Sequence, residues 1–273
     1  MSFIKRIFVP DKITLSNKKQ VTPPRPIAPY ILIALFAFTY VSVVITGFDI
    51  KVVFTKFNQF FIIIKKMFPP DWSYTNTVLD PLLDTVKMSL LGSMFGSFFA
   101  IPFAVLSSTN INGNKFLLSL IRFFLSIIRT VPTLIIALVA TYIFDLGTFA
   151  GSLAIGIFTF AIVAKMLYEK IETVDMGPFE AMESLGASKV QAFVGAIMPQ
   201  ILPTYLSIAL YSLEINVRHA AILGYVGAGG IGILLDEKLS WREYSSAGMV
   251  IFMLFITVLI IEGLSRFFRK RLA

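Results

Sequence analysis

The sequence has no cysteine, one histidine and two tryptophans, and only 15% of its 273 residues are charged. Without thiols, disulfide staples, thiolate nucleophiles and cysteine-based metal sites are excluded. His219 is the only histidine, so a multi-histidine metal site is excluded as well, and no metal ligand set is predicted. Catalytic signatures are missing too. There is no G-x-x-x-x-G-K-[ST] phosphate loop, no H-E-x-x-H and no G-x-S-x-G. The chain is therefore expected to bind no cofactor of its own, and any ATP-driven step must be supplied by another chain. An intramembrane enzyme using Arg129, Glu214 and His219 stays as a remote alternative, and a membrane scaffold would not need ionisable groups inside its spans.

What the sequence does contain is apolar surface. Hydrophobic residues make up 56% of the chain, with 27 phenylalanines. A soluble domain of this size cannot hide that much, so the solvent is lipid. The apolar runs are about 20 residues long and near-continuous rather than alternating, which indicates membrane-spanning helices and not a barrel. The net charge is +8. Lys5, Arg6, Lys12, Lys18, Lys19 and Arg25 precede the first run, and Arg266, Arg269, Lys270 and Arg271 follow the last. That asymmetry places both termini of a multi-pass membrane protein in the cytoplasm. Basic and aromatic residues do not interleave as they would on a nucleic-acid surface, so no nucleic-acid partner is expected. Residues 3–10 are too short and too charged for the core of a cleavable signal.

Three stretches follow from this pattern. Residues 1–27 form a basic, Pro-rich arm, extended and poorly ordered. Residues 28–80 hold the first span (about 30–48) and an amphipathic helix (51–68) on the outer surface. Residues 81–273 hold the remaining spans, about six in all. Asp80-Pro81 is a helix start, cap followed by first-turn proline, for a second span to about 106. Its Gly92, Ser93, Gly96, Ser97 and Ala100 present a small-residue face suited to close helix packing. A turn at 107–114 leads to a long, interrupted third span at 116–144. Arg122 is expected to snorkel to the interface. Arg129 beside the kinking Pro132 is expected either to face an aqueous path or to be satisfied by carbonyls that the kink frees. A fourth span covers 151–168, a fifth begins near Pro199 and runs past 213, and a sixth covers 245–264.

Two polar features interrupt the later spans. Glu214 and Arg218 are spaced i, i+4 and are expected to pair on one helix face while Asn216 points elsewhere. Such a pair is either a structural, self-neutralising unit or part of a transport path. His219 reads as a polar packing residue. Gly227, Gly229, Gly230 and Gly232 spell G-x-G-x-x-G, but a dinucleotide site needs a strand before it and an acidic residue after a second strand. Here apolar helix precedes and follows. The glycines are expected to form a turn or re-entrant segment at the outer end of a path, where Arg218, Lys238 and Arg242 could favour a small anion. A plain hinge is the alternative.

The segment at 180–203, EAMESLGASKVQAFVGAIMPQILP, is polar, helix-prone and broken by glycine. Pro178 is suited to a first helical position, Gly186 breaks the helix, and Ser188 caps a second whose apolar face is Val190, Phe193, Val194 and Ile197. It reads as a helix–Gly–helix gripped by a partner, or as a loop joining two spans. Glu180, Ala181, Gly186 and Pro199 keep the spacing of the EAA loop, by which the chain resembles ABC-importer permeases. Met182 departs from the usual alanine, Ala196 from the usual isoleucine and Met198 from the usual leucine. The stretches at 213–235 (LEINVRHAAILGYVGAGGIGILL), from Arg129 (RTVPTLIIAL) and from Asp84 (DTVKMSLLGSMFGSFFAIPFA) are similar to phosphonate-importer permeases. The resemblance covers residue 81 to the C-terminus.

That resemblance implies an all-α membrane protein with a MetI-like type I ABC importer permease fold and coupling helices at about 178–197. It implies a homodimer of permeases, two copies of an ABC ATPase carrying ATP and Mg, and an extracytoplasmic binding protein. Glu180, Ala181, Glu183, Gly186, Ala187 and Pro199 would couple to the ATPase. Arg129, Pro132, Glu214, Asn216, Arg218, Gly227, Gly229, Gly230 and Gly232 would belong to the translocation path or its gate. The expected cargo is a phosphonate-like anion: phosphonate, phosphite or a phosphate ester. Methionine-importer permeases share the loop and a similar glycine turn, so methionine or another amino-acid-like solute is the alternative cargo.

Overall fold

The structure, a computed structural model, describes residues 13–14, 19–21 and 27–272. Lys5, Arg6, Lys12, Lys18 and Arg25 of the basic arm lie outside the described residues. The chain divides into two compact units, residues 1–62 and 63–273. In the first, β1 (Ile13–Thr14) pairs antiparallel with β2 (Gln20–Val21), so part of the arm is a short ribbon where the sequence predicted extended chain. Helix α1 (Ala28–Thr46) stops at Gly47, whose left-handed φ of 63° lets the Phe48 N–H return to the Val43 carbonyl. The Asp49 carboxylate accepts the Lys51 N–H and opens α2 (Ile50–Met67), the predicted amphipathic helix.

The second unit holds the remaining helices. Helix α3 (Thr75–Leu106) starts earlier than the sequence predicted, because Asp71 caps a 3-10 turn at Trp72–Tyr74 that runs straight into it. The Asp71 carboxylate takes the Ser73 hydroxyl at 2.6 Å and the Ser73 N–H at 3.0 Å. Pro81 therefore lies inside the helix, where its missing N–H costs one backbone bond. Asn114 caps α4 (Lys115–Thr130), and α5 (Thr133–Phe144) follows across Val131 and Pro132. The two are bent by 89°, so the interruption is a break and not a proline kink.

Helix α6 (Thr148–Ile171) packs along α3 as the most extensive helix pair of the molecule. The small-residue face carries that contact. A Cβ at Gly92 would lie 2.8 Å from the Ser152 carbonyl, and one at Gly96 would lie 2.5 Å from that of Gly156. Then come α7 (Gly177–Ser184), α8 (Lys189–Ala192), a π turn at Phe193–Ile197 and α9 (Met198–Leu223). Short α10 (Ile231–Ser240) and long α11 (Tyr244–Leu272) close the chain.

Among the described residues, five helical stretches are long and apolar enough to cross a membrane: α1, α3, α6, the α8–α9 rod and α11. The bent α4–α5 pair makes a sixth if counted as one broken span. Contacts sort the helix ends of the second unit onto two faces. On one, the C-terminal ends of α3 and α6 meet at Thr109 and Glu172, and Asp175 meets Gln200 at the foot of α9. On the other, Gly147 bonds Gly227 and Thr85 bonds Ile231.

Candidate functional site

The helix–Gly–helix segment forms as its residues dictate. Pro178 sits in the first turn of α7, and Glu180 lies in that same turn, where the helix dipole favours a carboxylate. Gly186 takes a φ of 89° with open space around its α-carbon, so the corner needs glycine for its backbone angle and not for room. Ala187 N–H closes the corner on the Met182 carbonyl at 3.0 Å. Ser188 and Gln191 then form a capping box that starts α8. Glu180, Ala181 and Glu183 are exposed, and the two carboxylates carry no ion pair among the described residues. Leu185 is 88% and Val190 73% exposed beside them. Such a surface of free acids and bare aliphatics is unfinished.

Pro199 lies in the first turn of α9 but does not begin the fifth span. α8 runs into α9 through the π turn, where Met198 N–H reaches back to the Phe193 carbonyl. The turn adds one residue per helical repeat and keeps the rod continuous past two prolines, Pro199 and Pro203. Met182 and Gly195 account for the segment's unusual third position. A Cβ at Gly195 would lie 2.9 Å from Met182 Cε and 3.0 Å from its Sδ, so the thioether occupies the space a side chain would need.

Polar ties that the sequence did not single out fix this face. Gln200 Nε2 donates to the Asp175 carbonyl at 3.1 Å, and its Oε1 accepts the Asp175 N–H at 3.2 Å. Asn110 Nδ2 donates to the Ile171 carbonyl at 2.8 Å. Arg122 does more than snorkel: Nε and Nη2 both hold the Ser107 carbonyl, Nη2 also pairs with Glu172, and the guanidinium lies 4.5 Å from the Tyr168 ring centre. Burial pushes the Glu172 carboxyl up. Hydrogen bonds from the Thr109 hydroxyl and N–H and from Arg122 outweigh it, and the group ends below the usual carboxylate range. Only Arg122 left a trace in the sequence; a lone Asn or Gln in a polar turn carries no signal.

Midway along the spans, Asn216 clasps three helices. Its Nδ2 donates to Ser93 Oγ of α3 at 2.8 Å and to Thr159 Oγ1 of α6 at 2.7 Å, and the residue is 1% exposed. Glu214 and Arg218 pair at 3.0 Å while Asn216 points away, as their spacing predicts. The pair is not closed on itself. Glu214, 7% exposed, also holds Arg269 of α11 at 3.1 Å, and Arg218 reaches Glu262 at 3.3 Å, which in turn binds Arg266. The result is a five-member ionic lattice between α9 and α11 with one surplus positive charge. Glu262, a lone acid inside the last apolar run, was the readable signal for it. His219 stacks near Phe158, with ring centres 5.5 Å apart.

Arg129 stands apart. It ends α4 at the break and donates only to the Leu125 carbonyl of its own helix, at 3.3 Å. Arg122, Arg218, Arg266 and Arg269 each face a carboxylate; Arg129 faces none among the described residues. Pro132, with φ −57° and ψ 137°, opens α5 without a side-chain cap.

The glycine turn is packed, not loose. Gly227, Gly229 and Gly230 have φ of 75°, 85° and 75°, values that favour glycine. A Cβ at Gly232 would lie 2.0 Å from the Ala221 carbonyl, and one at Gly224 2.4 Å from the Gly232 backbone. Gly224, which the sequence hid at the end of an apolar run, is thus half of a backbone crossing. The turn's Gly227, Ala228 and Ile231 N–H groups bond Gly224, Leu223 and Thr85. Two of the three cations expected beside it are engaged elsewhere, while Arg242, at φ 59°, has no side-chain partner among the described residues. Arg218 belongs to the lattice, and Lys238 binds Glu243 at 2.8 Å, a hydrogen bond that holds its ammonium above the usual range.

Comparison with known proteins meets this geometry from outside. Residues 92–273 match the family model of the binding-protein-dependent transport system inner membrane component. The chain is 33% identical over 211 residues to a phosphate-import permease of Mycolicibacterium smegmatis, covering 77% of this chain but 40% of that longer protein. It is 31% identical over 202 residues to a phosphite transport system permease of Stutzerimonas stutzeri, covering 74% of each. Among solved structures, the inward-facing MetNI methionine ABC transporter shares the fold, with a TM-score of 0.65 at 21% identity over 74% of this chain and 99% of that one. With five or six candidate spans among its described residues and the family model matched over residues 92–273, the chain belongs to the binding-protein-dependent transport system inner membrane components, as a multi-pass permease subunit of an ABC importer.

Proposed function

We propose that this permease carries a phosphorus oxyanion (phosphonate, phosphite or a phosphate ester) and that Arg129 is the charge the anion meets at the break between α4 and α5. The observation that carries this reading is that Arg129, at the break of a span, faces no carboxylate among the described residues, whereas Arg122, Arg218, Arg266 and Arg269 each face one. Arg242 and Arg271, which also face none, lie in the turn before α11 and at the end of α11. An uncompensated cation beside a broken span is costly unless a mobile anion visits it. The phosphate and phosphite transport named for two relatives supports the same cargo.

Two permease copies would work with two ATPases carrying ATP and Mg and with an extracytoplasmic binding protein, and this chain would hold no cofactor. Both termini and the 177–197 segment would face the cytoplasm. Glu180, Glu183 and the exposed aliphatics around Gly186 and Ala187 would enter the ATPase groove. Nucleotide-driven closure would push on that segment, and Pro199 and α9 would carry the push into the bundle. Glu214, Asn216 and Arg218 would hold α9 to its neighbours while it tilts, and Gly227, Gly229, Gly230 and Gly232 would close the outer end.

The test is reconstitution in lipid with the ATPase and binding protein, reading ATPase stimulation by methylphosphonate, phosphite, phosphate and methionine. Stimulation by a phosphorus oxyanion, reduced at least about tenfold by Arg129→Gln while the complex stays assembled, is the expected result. Stimulation by methionine alone would overturn the cargo, and the permease of Vibrio cholerae named for D-methionine makes that the outcome to exclude.

A further inference from the structure

α7 leaves the membrane-facing bundle and turns back at a corner whose only obligatory feature is the left-handed backbone of Gly186. A Cβ on that glycine would meet nothing, so the corner itself is held only by backbone hydrogen bonds, from Gly186 N–H to the Glu183 carbonyl and from Ala187 N–H to that of Met182. A push delivered to α7 would bend such a joint before it moved a span. Two side chains of α7 brace it: Phe179, 4% exposed within the buried cluster, and Met182, packed against that cluster. Met182, on the inner face of α7, lays its Sδ and Cε where a Cβ of residue 195 would otherwise project. Gly195 sits in the π turn between α8 and α9, where the helix is widened, and its missing side chain makes the socket. Met182 also packs on the buried cluster that includes Phe179, Ala192, Phe193, Ala196 and Ile197. An unbranched thioether is suited to such an irregular seat.

We propose that Met182 is a positioning residue: seated on Gly195, it locks α7 to the rod formed by α8, the π turn and α9, so that both halves of the segment and the span move as one body. Gln200, clamped to Asp175 at the foot of α9, holds the other end of the same block. The inference rests on the reading of 177–197 as the ATPase-contacting segment. It goes further in saying that this segment is a lever with a fixed elbow. It also accounts for the long side chain at position 182 and the absent one at 195 as two halves of one fit.

The chain has no cysteine, so labels can be placed without removing any. Spin labels at exposed Ser184→Cys on α7 and Leu202→Cys on α9 report the elbow in the full permease–ATPase complex. Distances would be read with and without Mg-ATP and vanadate. With Met182 in place, the distance distribution should be narrow and should keep its mean in both states. Met182→Ala or Gly195→Leu should broaden it about twofold. The swap Met182→Ala with Gly195→Leu, which returns a side chain of similar volume to the seat from the other partner, should narrow it again. A mean that shifts between nucleotide states in the otherwise unaltered protein would overturn the proposal. So would a Met182→Ala distribution as narrow as the parent's, or a swap as broad as its single variants. A separate label at Val190→Cys, on the exposed face, tests the underlying reading. If vanadate trapping leaves its mobility unchanged, the ATPase does not grip this segment, whatever the elbow shows.

Discussion

The two ends of α9 are built on opposite rules. At its foot, α9 continues from α8 through a π turn. The neighbouring segment is polar and exposed, and it is tied by side chains such as Met182 and Gln200. At its far end, Gly224 crosses Gly232 backbone against backbone, and no side chain fits between them. The first end is held by side-chain contacts, the second by main chain against main chain. In between, Asn216 and the Glu214 lattice bind α9 to three neighbours. Under the proposed coupling, a push at the foot of a rod pinned at its far end would be transmitted by tilting.

The sharpest way to break this comparison is to place the same substitution at both ends. Gly232→Ala puts a methyl 2.0 Å from the Ala221 carbonyl, where only backbone could move. We expect loss of more than about 3 kcal/mol, seen as failure to recover monodisperse protein or a collapse of the thermal midpoint in detergent. Gly186→Ala meets open space and suffers only the left-handed backbone penalty of about 1–2 kcal/mol. It should therefore insert and purify normally while transport per ATP falls. Equal damage from the two substitutions would mean the ends are alike.

Next in size is the lattice that joins α9 to α11. Glu214→Gln leaves Arg269 without its carboxylate and Arg218 with Glu262 alone. Removing one partner of a buried ionic group costs about 3–5 kcal/mol, and the remaining Glu262 should reduce that to about 2–3 kcal/mol. Smaller again is Asn216→Leu, which strands the hydroxyls of Ser93 and Thr159. Hydrogen bonds between spans are worth about 0.6–2 kcal/mol, so a loss of about 1 kcal/mol is expected. Both are read from thermal midpoints of purified protein. If Asn216→Leu were the more damaging of the two, the middle of α9 would be held by amide and hydroxyl groups rather than by charge.

Much of this was legible beforehand because it rests on local chemistry. Apolar run length revealed the spans, and the spacing of Gly92 and Gly96 marked the α3–α6 seam. The Ser188 cap and the break at Gly186 outlined the helix–Gly–helix. The i, i+4 spacing of Glu214 and Arg218 gave one edge of the lattice. What stayed hidden depends on distance in the chain. Asp71 outcompetes Asp80 as the start of α3 only because a 3-10 turn precedes the helix. Arg218 and Lys238 sit near the glycine turn in sequence yet are drawn to Glu262 and Glu243 in space, while Arg129 at the span break faces no carboxylate among the described residues. The continuity of α8 with α9 was masked by Pro199, because a π turn has no signature of its own.

The gentlest probe concerns the ties beneath the lever. Glu172 accepts the Thr109 hydroxyl at 2.7 Å and N–H at 2.8 Å and pairs with Arg122, and its carboxyl lies below the usual value of 4.5 despite partial burial. The sign follows from that depression. The carboxylate's contribution is complete above about pH 4.5, the unfolded value, and is lost as pH falls through the lower folded value. The thermal midpoint of the purified permease should therefore decline below pH 4.5 more steeply than in a Thr109→Val variant, which keeps the N–H and Arg122 but lacks the hydroxyl. At neutral pH the variant should lose less than about 1 kcal/mol, because the site is partly exposed and two donors remain. Superimposable acid profiles would show that the turn at 107–114 is held by backbone packing alone. The face that carries the 177–197 segment would then resemble the glycine end more than its side-chain ties suggest.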